Sequence, residues 1–441
     1  MTKKKVLIIT YSFPPVGGGT FLRTLKYVKY LPTYGWNSIV LTARYNQSEG
    51  DVCDLSLMDE IPKGTEIFRE RSPSLVDTFY FLKKKRDNTS SKEYNFLNQK
   101  DSVVKRLLKL LYHFITKFSV PDIYILWVPF AIIKAMKIIK NSDVNLIYST
   151  TPPHSTHLVG YVVKRISRKP GVVDFRDGWT ENPLFKSSNK IRARIERYME
   201  RKVLASADKI ICATGPIADE LKGVHPFIES SKFTVISNGF DPNDVMGIDH
   251  IKPQKFTITY TGGFWKYKTP YYFIKAIKQL IDENEKIKHD IQVFFVGGFL
   301  EDSKHLIEEL SLMEQIHIVG YVSHNESIKY QLQSNVLLLM LYEEEDGTAV
   351  APGKMFEYIG AKKPILALVP EGHVANLIRS ENLGKVVPPR DITAIKDAIY
   401  EMYLKHKEDN LELKMDETLF KKYDRKELTR QLAEVFDEVS K

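Results

Sequence analysis

The residues best suited to chemistry lie in the run from Pro352 to Glu357, a pattern typical of a helix start. The first N–H groups of a helix lack partners within it, so Pro352, Gly353 and Lys354 can present backbone donors and a cation to a phosphate. One turn later, Glu357 can accept hydrogen bonds from two ribose hydroxyls. The alternative is an ion pair between Lys354 and Glu357 on a solvated helix face.

A glycine-rich turn with cations beside it runs from Tyr260 to Pro270, after an apolar strand pattern and before a helix pattern. Gly262 and Gly263 leave room for a diphosphate. Lys268 is the cation that we expect to neutralise the charge on a departing nucleotide. The alternative interpretation is a solvated surface lysine.

Gly17, Gly18 and Gly19 form another such turn, between the first strand pattern and a helix pattern over Phe21–Leu31. Backbone N–H groups in this turn can approach a substrate closely, with the positive end of the helix dipole behind them. The spacing is not G-x-G-x-x-G, so it does not indicate an NAD site. A tight turn without a ligand is the alternative.

Two polar side chains follow neighbouring strand patterns in the first half of the chain. His154 lies in the loop after the strand pattern that ends at Tyr148, and Asp177 follows the pattern that ends at Phe175. Open α/β sheets bind their ligands at the carboxyl ends of the strands. We therefore expect His154 and Asp177 to contact a sugar ring or an acceptor hydroxyl, unless Arg176 and an aspartate only form a structural ion pair there.

Short apolar runs that alternate with helix patterns must position these residues, and they predict an α/β fold with parallel sheets. The turn-rich stretch 237–243 separates the runs into two sets, which predicts two doubly wound domains with a boundary near Asp241. The predicted strands are Val6–Tyr11, Ser38–Leu41, Val144–Tyr148, Gly171–Phe175, Lys209–Ala213 and Phe233–Ile236, then Phe256–Thr261, Ile291–Val296, Ile316–Val319, Val336–Leu341, Pro364–Leu368 and Gly384–Val387.

Composition limits the classes of protein that fit. The 441 residues are 43% hydrophobic, which is enough for two buried cores. Cys53 and Cys212 are the only cysteines, so we expect a reducing cytoplasm and no disulfide framework. No apolar run reaches the roughly 20 residues that a membrane-spanning helix needs. The net charge of +9 indicates anionic partners. Because the basic residues are dispersed, nucleic acid is the least favoured of them.

The basic stretch 83–118 departs from the alternating pattern and has two interpretations. Apolar residues recur at helical spacing over 103–118, with basic residues between them. One interpretation is a surface helix packed on the first sheet. The other is an amphipathic element that contacts the anionic inner face of the plasma membrane.

On these motifs the chain resembles the family 4 glycosyltransferases, which have the GT-B fold of two facing Rossmann-like domains and retain anomeric configuration. The resemblance covers essentially the whole length. In that family two glutamates have seven residues between them, and Glu357 matches the second, which binds ribose. Ala349 occupies the position of the first, and Asp346 could approach the same space. The resemblance implies that Lys268 and Lys354 bind the diphosphate.

The resemblance also implies which domain binds which substrate. Residues 1–241 would bind the acceptor and residues 242–422 the nucleotide sugar, with the nucleobase at the turn formed by Tyr321 and Val322 after Gly320. A helix in 423–441 would cross back to the N-terminal domain, which its apolar residues also favour. No metal or other cofactor is implied. Members with this Asp-Phe-Arg-Asp motif tend to be bacterial enzymes of capsule or O-antigen assembly that use lipid-linked acceptors.

Two rival functions share this architecture. A nucleotide-sugar epimerase would need several acid or base groups at one sugar carbon, and the sequence does not offer a dense set of them. A non-catalytic binding protein is the second rival, because the first family glutamate is missing at Ala349. The sequence leaves the nucleobase and the sugar open, although a UDP-sugar is favoured.

Overall fold

The computed structural model describes residues 4–17, 19, 21–44, 53–73, 119–183, 186–187, 189–248, 252–264, 268–342, 349–413 and 416–441. The elements below are those of this part of the chain. Within it, no helix combines the length and the apolar character needed to cross a lipid bilayer. The basic stretch 83–118 lies outside the described residues.

The N-terminal half forms a parallel sheet in the order β3-β2-β1-β4-β5-β6-β7. Its strands are β1 (Lys4–Ile9), β2 (Trp36–Ala43), β3 (Glu66–Glu70), β4 (Val144–Thr150), β5 (Gly171–Phe175), β6 (Lys209–Cys212) and β7 (Phe233–Val235). The order reverses direction between β1 and β4, which is where an open α/β sheet binds its ligand.

The C-terminal half forms a second parallel sheet in the order β10-β9-β8-β11-β12-β13. Its strands are β8 (Phe256–Thr261), β9 (Ile291–Val296), β10 (Ile316–Gly320), β11 (Val336–Met340), β12 (Ile365–Leu368) and β13 (Gly384–Val387). The switch point lies between β8 and β11, so each half has its own doubly wound topology.

Helices cover the faces of both sheets. The α-helices are α1 (Leu22–Tyr30), α2 (Trp127–Asn141), α3 (Ser155–Ser167), α4 (Lys190–Ser206), α5 (Gly215–Val224), α6 (Tyr271–Glu283), α7 (Glu285–Asp290), α8 (Glu301–Glu309), α9 (His324–Leu332), α10 (Gly353–Gly360), α11 (His373–Ser380), α12 (Ile392–Lys407), α13 (Glu417–Lys422) and α14 (Arg425–Val439). A 3-10 helix over Leu55–Glu60 precedes β3. Sheets covered in this way bury both faces of their central strands, which explains the continuous apolar runs.

The last helix, α14, packs on the N-terminal sheet, although it follows the C-terminal one. Asp424 caps the helix by accepting a hydrogen bond from the N–H of Lys426 at 2.7 Å. The buried side chains of Leu428, Leu432 and Phe436 join the core of the N-terminal half. Burial of this apolar face stabilises the crossing by the hydrophobic effect.

Two parallel sheets with helices between successive strands confirm the predicted α/β fold of two Rossmann-like units. The linker between them is tied to the start of α14. The N–H of Phe240 donates to Tyr423 O at 3.0 Å, and the N–H of Arg425 donates to Phe240 O at 2.8 Å. The chain therefore passes between the two sheets at two adjacent places.

Candidate active site in the cleft between the sheets

Hydrogen bonds between the two halves hold the carboxyl ends of their strands against each other. The hydroxyl of Thr214, which caps α5 after β6, donates to Ala349 O at 2.9 Å. The side-chain amide of Asn238 donates to Ala351 O at 3.3 Å. Both acceptors lie in the loop before α10, so this loop faces the N-terminal half.

Helix α10 carries Lys354 in its first turn, with Pro352 at the N-cap position. The Lys354 ammonium donates to the Tyr260 hydroxyl at 3.0 Å and lies 4.2 Å from the centre of the Tyr260 ring. Tyr260 belongs to β8. Lys354 therefore points at the end of β8, where the first glycine-rich turn of the C-terminal half begins.

Gly262 makes this approach of Lys354 to β8 feasible. Its φ of +127° is in the region that favours glycine, and a Cβ atom there would collide with Lys354 Nζ. The N–H of Gly262 donates to Val296 O at 2.7 Å, and the next turn meets it at Gly297, which also has positive φ. Gly263 continues the same turn. The glycines of neighbouring strand ends thus form one compact backbone surface beside the lysine.

Gly297 and Gly298 were missed in reading the sequence. They follow β9 in the order Val296-Gly297-Gly298, and a glycine pair directly after a strand is the signal that identifies them.

Glu357 lies on the same helix and is half-buried. Its Oε2 accepts a hydrogen bond from Gln331 Nε2 at 3.1 Å, while Lys354 donates to Tyr260. The structure thus forms these two contacts rather than the solvated ion pair between Lys354 and Glu357. Gln331, on α9, was not identified from sequence, because a lone glutamine in a helix carries no distinctive signal.

Lys268 is buried, with 6% of its surface exposed. The alternative of a solvated surface lysine is therefore wrong. The residue lies just before α6, near the carbonyl of Thr269, which accepts a hydrogen bond from the Tyr342 hydroxyl at 2.6 Å. Its contact with a diphosphate stays a prediction.

The turn predicted to hold the nucleobase follows β10. Gly320 has φ of +82°, and its carbonyl accepts a hydrogen bond from Gly297 N at 2.7 Å. Tyr321 is exposed and Val322 half-buried. The turn is thus joined to the glycine surface, while Asp346 lies outside the described residues. Ala349, which replaces the first family glutamate, is buried.

On the N-terminal side, the predicted ion pair involves a different arginine. Arg23 of α1, rather than Arg176, forms a buried bidentate pair with Asp174, at 2.9 Å from Nε to Oδ2 and 3.1 Å from Nη2 to Oδ1. Tyr148 and Thr150 also donate to Asp174 Oδ2. This correction could not be made from sequence, because 151 positions separate Arg23 from Asp174.

His154 lies at the start of α3 and is only 3% exposed. Its ring stacks on Trp179, with centroids 4.8 Å apart. Burial lowers the pKa of His154 to about 3, and the nearby His157 has a smaller effect in the same direction. The imidazole is therefore neutral at pH 7. This environment does not favour a general base, and the proposed contact of His154 with an acceptor stays a prediction. Asp177 is half-buried beside Arg176.

The loop of Gly17 and Gly19 precedes α1, and Gly18 lies outside the described residues. Gly19 is exposed, and a Cβ atom there would meet nothing within 4 Å. Its open surroundings are consistent with a loop that receives a ligand. Contact with an acceptor stays a prediction for all three glycines.

A polar cluster joins the halves beside the linker. Glu60, Asp241 and Asp244 bring carboxylate oxygens within 4.8 Å of one another, the spacing of a metal site. The ammonium of Lys26 pairs with all three carboxylates, and Lys29 pairs with Glu60 and Asp241. Burial alone would raise the pKa of Asp241, but the two lysines outweigh it and hold that pKa well below its usual range. The cluster is thus neutralised by lysines.

Two facing Rossmann-like sheets, with the glycine turns and the lysines at the cleft, define the GT-B architecture. Family models match consecutive parts of the chain. Residues 98–244 match the model described as Glycosyltransferase Family 4, and residues 246–422 match Glycosyl transferases group 1. The chain belongs to the family 4 type of GT-B glycosyltransferases. No curated protein matches it significantly in sequence.

Solved structures show the same fold at low identity. Sucrose-phosphate synthase from Thermosynechococcus elongatus is 15% identical, with a TM-score of 0.67 over 99% of both chains. WaaG, a glycosyltransferase involved in lipopolysaccharide biosynthesis, is 15% identical, with a TM-score of 0.55 over 99% of this chain and 96% of WaaG. UDP-GlcNAc 2-epimerase from Methanocaldococcus jannaschii is 10% identical, with a TM-score of 0.57 over 98% and 99%.

Proposed function

We propose that this glycosyltransferase moves a sugar from a nucleotide sugar, with a UDP-sugar favoured, to a glycan or lipid-linked acceptor and retains the anomeric configuration. The observation that carries the proposal is the placement of Lys354 and Glu357 on α10 beside the turn at Gly262. A cation, helix N–H groups and a carboxylate at one strand end match the phosphates and the ribose of one nucleotide.

In the proposed complex each group has a separate role. Lys354, joined by Lys268, neutralises the negative charge that develops on the departing diphosphate, and the N–H groups at the start of α10 add to this stabilisation. Glu357 accepts hydrogen bonds from the ribose hydroxyls, with Gln331 holding its other side. The turn of Tyr321 and Val322 receives the nucleobase.

The acceptor then reacts on the face of the sugar from which the diphosphate leaves. The acceptor oxygen forms the new bond to the anomeric carbon as the bond to the diphosphate oxygen breaks. A non-bridging oxygen of the leaving phosphate takes the acceptor proton, which keeps the charges balanced. Since His154 has a pKa of about 3 and is buried, this route does not require it as the base.

The setting that we propose is the cytoplasmic assembly of cell-surface polysaccharide. WaaG, which shares the fold, acts in lipopolysaccharide biosynthesis. A net charge of +9 suits an enzyme that works on anionic lipid-linked substrates near a membrane surface.

The test of the nucleotide site replaces Glu357 with Gln, which removes the charge and keeps the shape. We expect the free energy of UDP binding to weaken by about 1.5–3 kcal/mol, the range for hydrogen bonds to charged groups. Isothermal titration calorimetry with UDP measures this change. Exposed Glu309, at the end of α8, serves as the matched control in the variant Glu309→Gln. Equal UDP affinity in Glu357→Gln and wild type would refute the assignment of Glu357 to the ribose.

The second test concerns metal. Because lysines and helix N–H groups stabilise the leaving group in this proposal, turnover should be largely unchanged in EDTA. Turnover is measured as release of the nucleoside diphosphate. A turnover lost in EDTA and restored by Mg²⁺ would contradict the metal-independent step.

An epimerase is the second candidate, since UDP-GlcNAc 2-epimerase has the same fold. Donor incubated without acceptor separates the two functions. An epimerase converts the sugar into its epimer, whereas a transferase leaves it unchanged or hydrolyses it slowly. NMR of the recovered sugar nucleotide distinguishes these products.

A further inference from the structure

Three arginines from distant parts of the chain meet on the N-terminal side of the cleft. Arg23 is the centre of the group, because it pairs with Asp174, two residues before Arg176. Arg23 also donates to Ser237 O at 2.6 Å and to Ile236 O at 2.8 Å. The linker that begins there receives Arg425, whose N–H donates to Phe240 O.

These arginines are not equally neutralised. Asp174 and the linker carbonyls satisfy Arg23. In contrast, Arg176 Nε and Arg425 Nη1 are buried, and neither has a hydrogen-bond partner among the described residues. Arg425 is only 4% exposed, whereas Arg176 is half-buried as a whole residue. Buried polar atoms without partners are rare in native proteins, and a buried cation without a partner is costly.

A buried hydroxyl completes the group. Tyr27 lies one turn after Arg23 on α1, and its ring centre is 5.1 Å from Arg23 Cζ. Its Oη is buried without a hydrogen-bond partner among the described residues. Burial raises the pKa of Tyr27 to about 12, so the hydroxyl keeps its proton and can donate.

The electrostatics agree with this geometry. Burial, and then the charge of Arg23, lower the pKa of Arg425 to about 10, with Arg176 acting in the same direction. Burial likewise lowers the pKa of Arg176, against the nearby Asp177. Glu357, on α10, raises the pKa of Arg425.

We propose that Arg176 and Arg425, with the Tyr27 hydroxyl, bind an oxyanion group, a phosphate or a carboxylate, carried by the acceptor. Guanidinium groups match such oxyanions with paired N–H donors. The bound anion supplies the missing acceptors and compensates the buried charge. We assign it to the acceptor because Tyr27 on α1, Arg176 directly after β5 and Arg425 at the start of α14 all belong to elements of the N-terminal half or packed on it, whereas Lys354 and the glycine turns belong to the C-terminal half. The assignment to the acceptor rests on the proposed function.

The first experiment uses inorganic phosphate as the probe and the melting temperature of the full-length protein as the readout. Phosphate should raise the melting temperature saturably, compared with chloride at equal ionic strength, and should do so equally when UDP saturates the nucleotide site. The absence of a saturable response would overturn the proposal. A response abolished by UDP would overturn it as well, since the anion would then occupy the site of the donor diphosphate.

The second experiment removes the cations singly with Arg425→Met and Arg176→Gln. We expect the apparent affinity for phosphate to fall at least tenfold in both, while UDP affinity stays within about twofold of wild type. Exposed Arg194 on α4 provides the control Arg194→Gln. Unchanged phosphate affinity in both variants would overturn the proposal. If Arg425→Met does not fold, Arg425→Lys keeps the charge but loses the paired donors, and it should show the same loss.

The two proposals fail in different ways. Glu357→Gln should lose UDP affinity and keep its phosphate response. If the wild-type protein bound phosphate at the arginines but bound no nucleotide, the proposed transferase function and the assignment of the anion to the acceptor would both be refuted. The anion site itself would still stand.

Discussion

At the residue scale, the candidate site depends on how closely side chains can approach backbone. Lys354 reaches Tyr260 only because Gly262 has no Cβ atom at the point of closest approach. The positive φ of Gly262 is a second requirement that other residues meet poorly. A positive charge is therefore not sufficient for this site, because the lysine also needs the space beside Gly262.

The variant Gly262→Ala tests this dependence. We expect the added methyl group to displace the Lys354 ammonium and the backbone strain to cost about 1–3 kcal/mol of folding free energy. Turnover of the nucleotide sugar should fall because Lys354 is displaced. The loss of stability does not account for this fall, since the variant remains folded at the assay temperature. Turnover and urea unfolding should be measured together.

Gly223 near the end of α5 is the matched control. It is exposed, and a Cβ atom there meets nothing within 4 Å. Gly223→Ala should keep full turnover and gain up to about 1 kcal/mol of stability. Wild-type turnover in Gly262→Ala would show that the position of Lys354 does not depend on this glycine.

At the scale of elements, α14 connects the stability of the N-terminal half to the end of the chain. Its buried face meets Trp36 of β2 and Tyr148 of β4, with ring centres of Phe436 at 5.3 Å and 5.7 Å from theirs. The same helix begins with Arg425, at the proposed anion site. Loosening the helix should therefore affect both the core and the cleft.

The substitution Leu432→Ala tests the packing of α14. Leu432 is fully buried in the core of the N-terminal half, so its truncation should destabilise the protein by about 2–5 kcal/mol. Leu404→Ala, on an exposed position of α12, should change stability by less than about 0.5 kcal/mol. Urea unfolding followed by tryptophan fluorescence measures both. Equal stability of the two variants would contradict the packing of α14.

Deletion from Tyr423 onward is the severe form of this test. It removes α14 and leaves every proposed nucleotide contact in place, yet we expect lower turnover and a lower melting temperature. A truncated protein with full activity and an unchanged melting profile would show that the packing of α14 on the N-terminal half contributes neither to turnover nor to stability.

At the scale of the whole molecule, the two halves are held together by groups that titrate. His324 at the start of α9 lies beside Asp244 of the linker, with Nε2 3.3 Å from Oδ2, and the backbone N–H of His324 donates across the interface to Asp54 Oδ2 at 2.7 Å. Burial opposes protonation of His324, but Asp244 and Glu357 outweigh it, and the pKa of His324 is raised. The folded protein therefore binds a proton more tightly than the unfolded chain.

The sign of the resulting pH dependence follows from this raised pKa. The stabilisation of the folded state by protonated His324 is fully present below the ordinary histidine pKa of about 6.5. It is lost as the pH rises through the raised pKa of the folded protein. Wild type should exceed His324→Gln in stability by about 1.5–3 kcal/mol near pH 6, and by less near pH 9. Urea unfolding at several pH values measures this difference.

Exposed His305 on α8 gives the control His305→Gln, which should change the free energy of unfolding by less than about 0.5 kcal/mol. A difference between wild type and His324→Gln that stays constant from pH 6 to pH 9 would mean that the proton on His324 does not stabilise the folded protein.

The sequence by itself determined the α/β class, most of the strands and the glycine turns at their ends. Strands such as β5, β8 and β9 were predicted with their observed bounds. Their apolar runs are continuous because both faces of a central parallel strand are buried. Strand β3 was missed, because an edge strand with the sequence Glu-Ile-Phe-Arg-Glu contains polar residues and has no such run.

Only the tertiary structure decided which polar groups meet. Local patterns located Lys354 and Glu357 on one helix, but not the Tyr260 hydroxyl or the Gln331 amide that hold them. The ion pair between Arg23 and Asp174 and the position of Arg425 likewise could not be predicted from the sequence. Such contacts join residues far apart in the chain, and the cost of burying a charge is offset only where the tertiary structure or a bound ion supplies its partner.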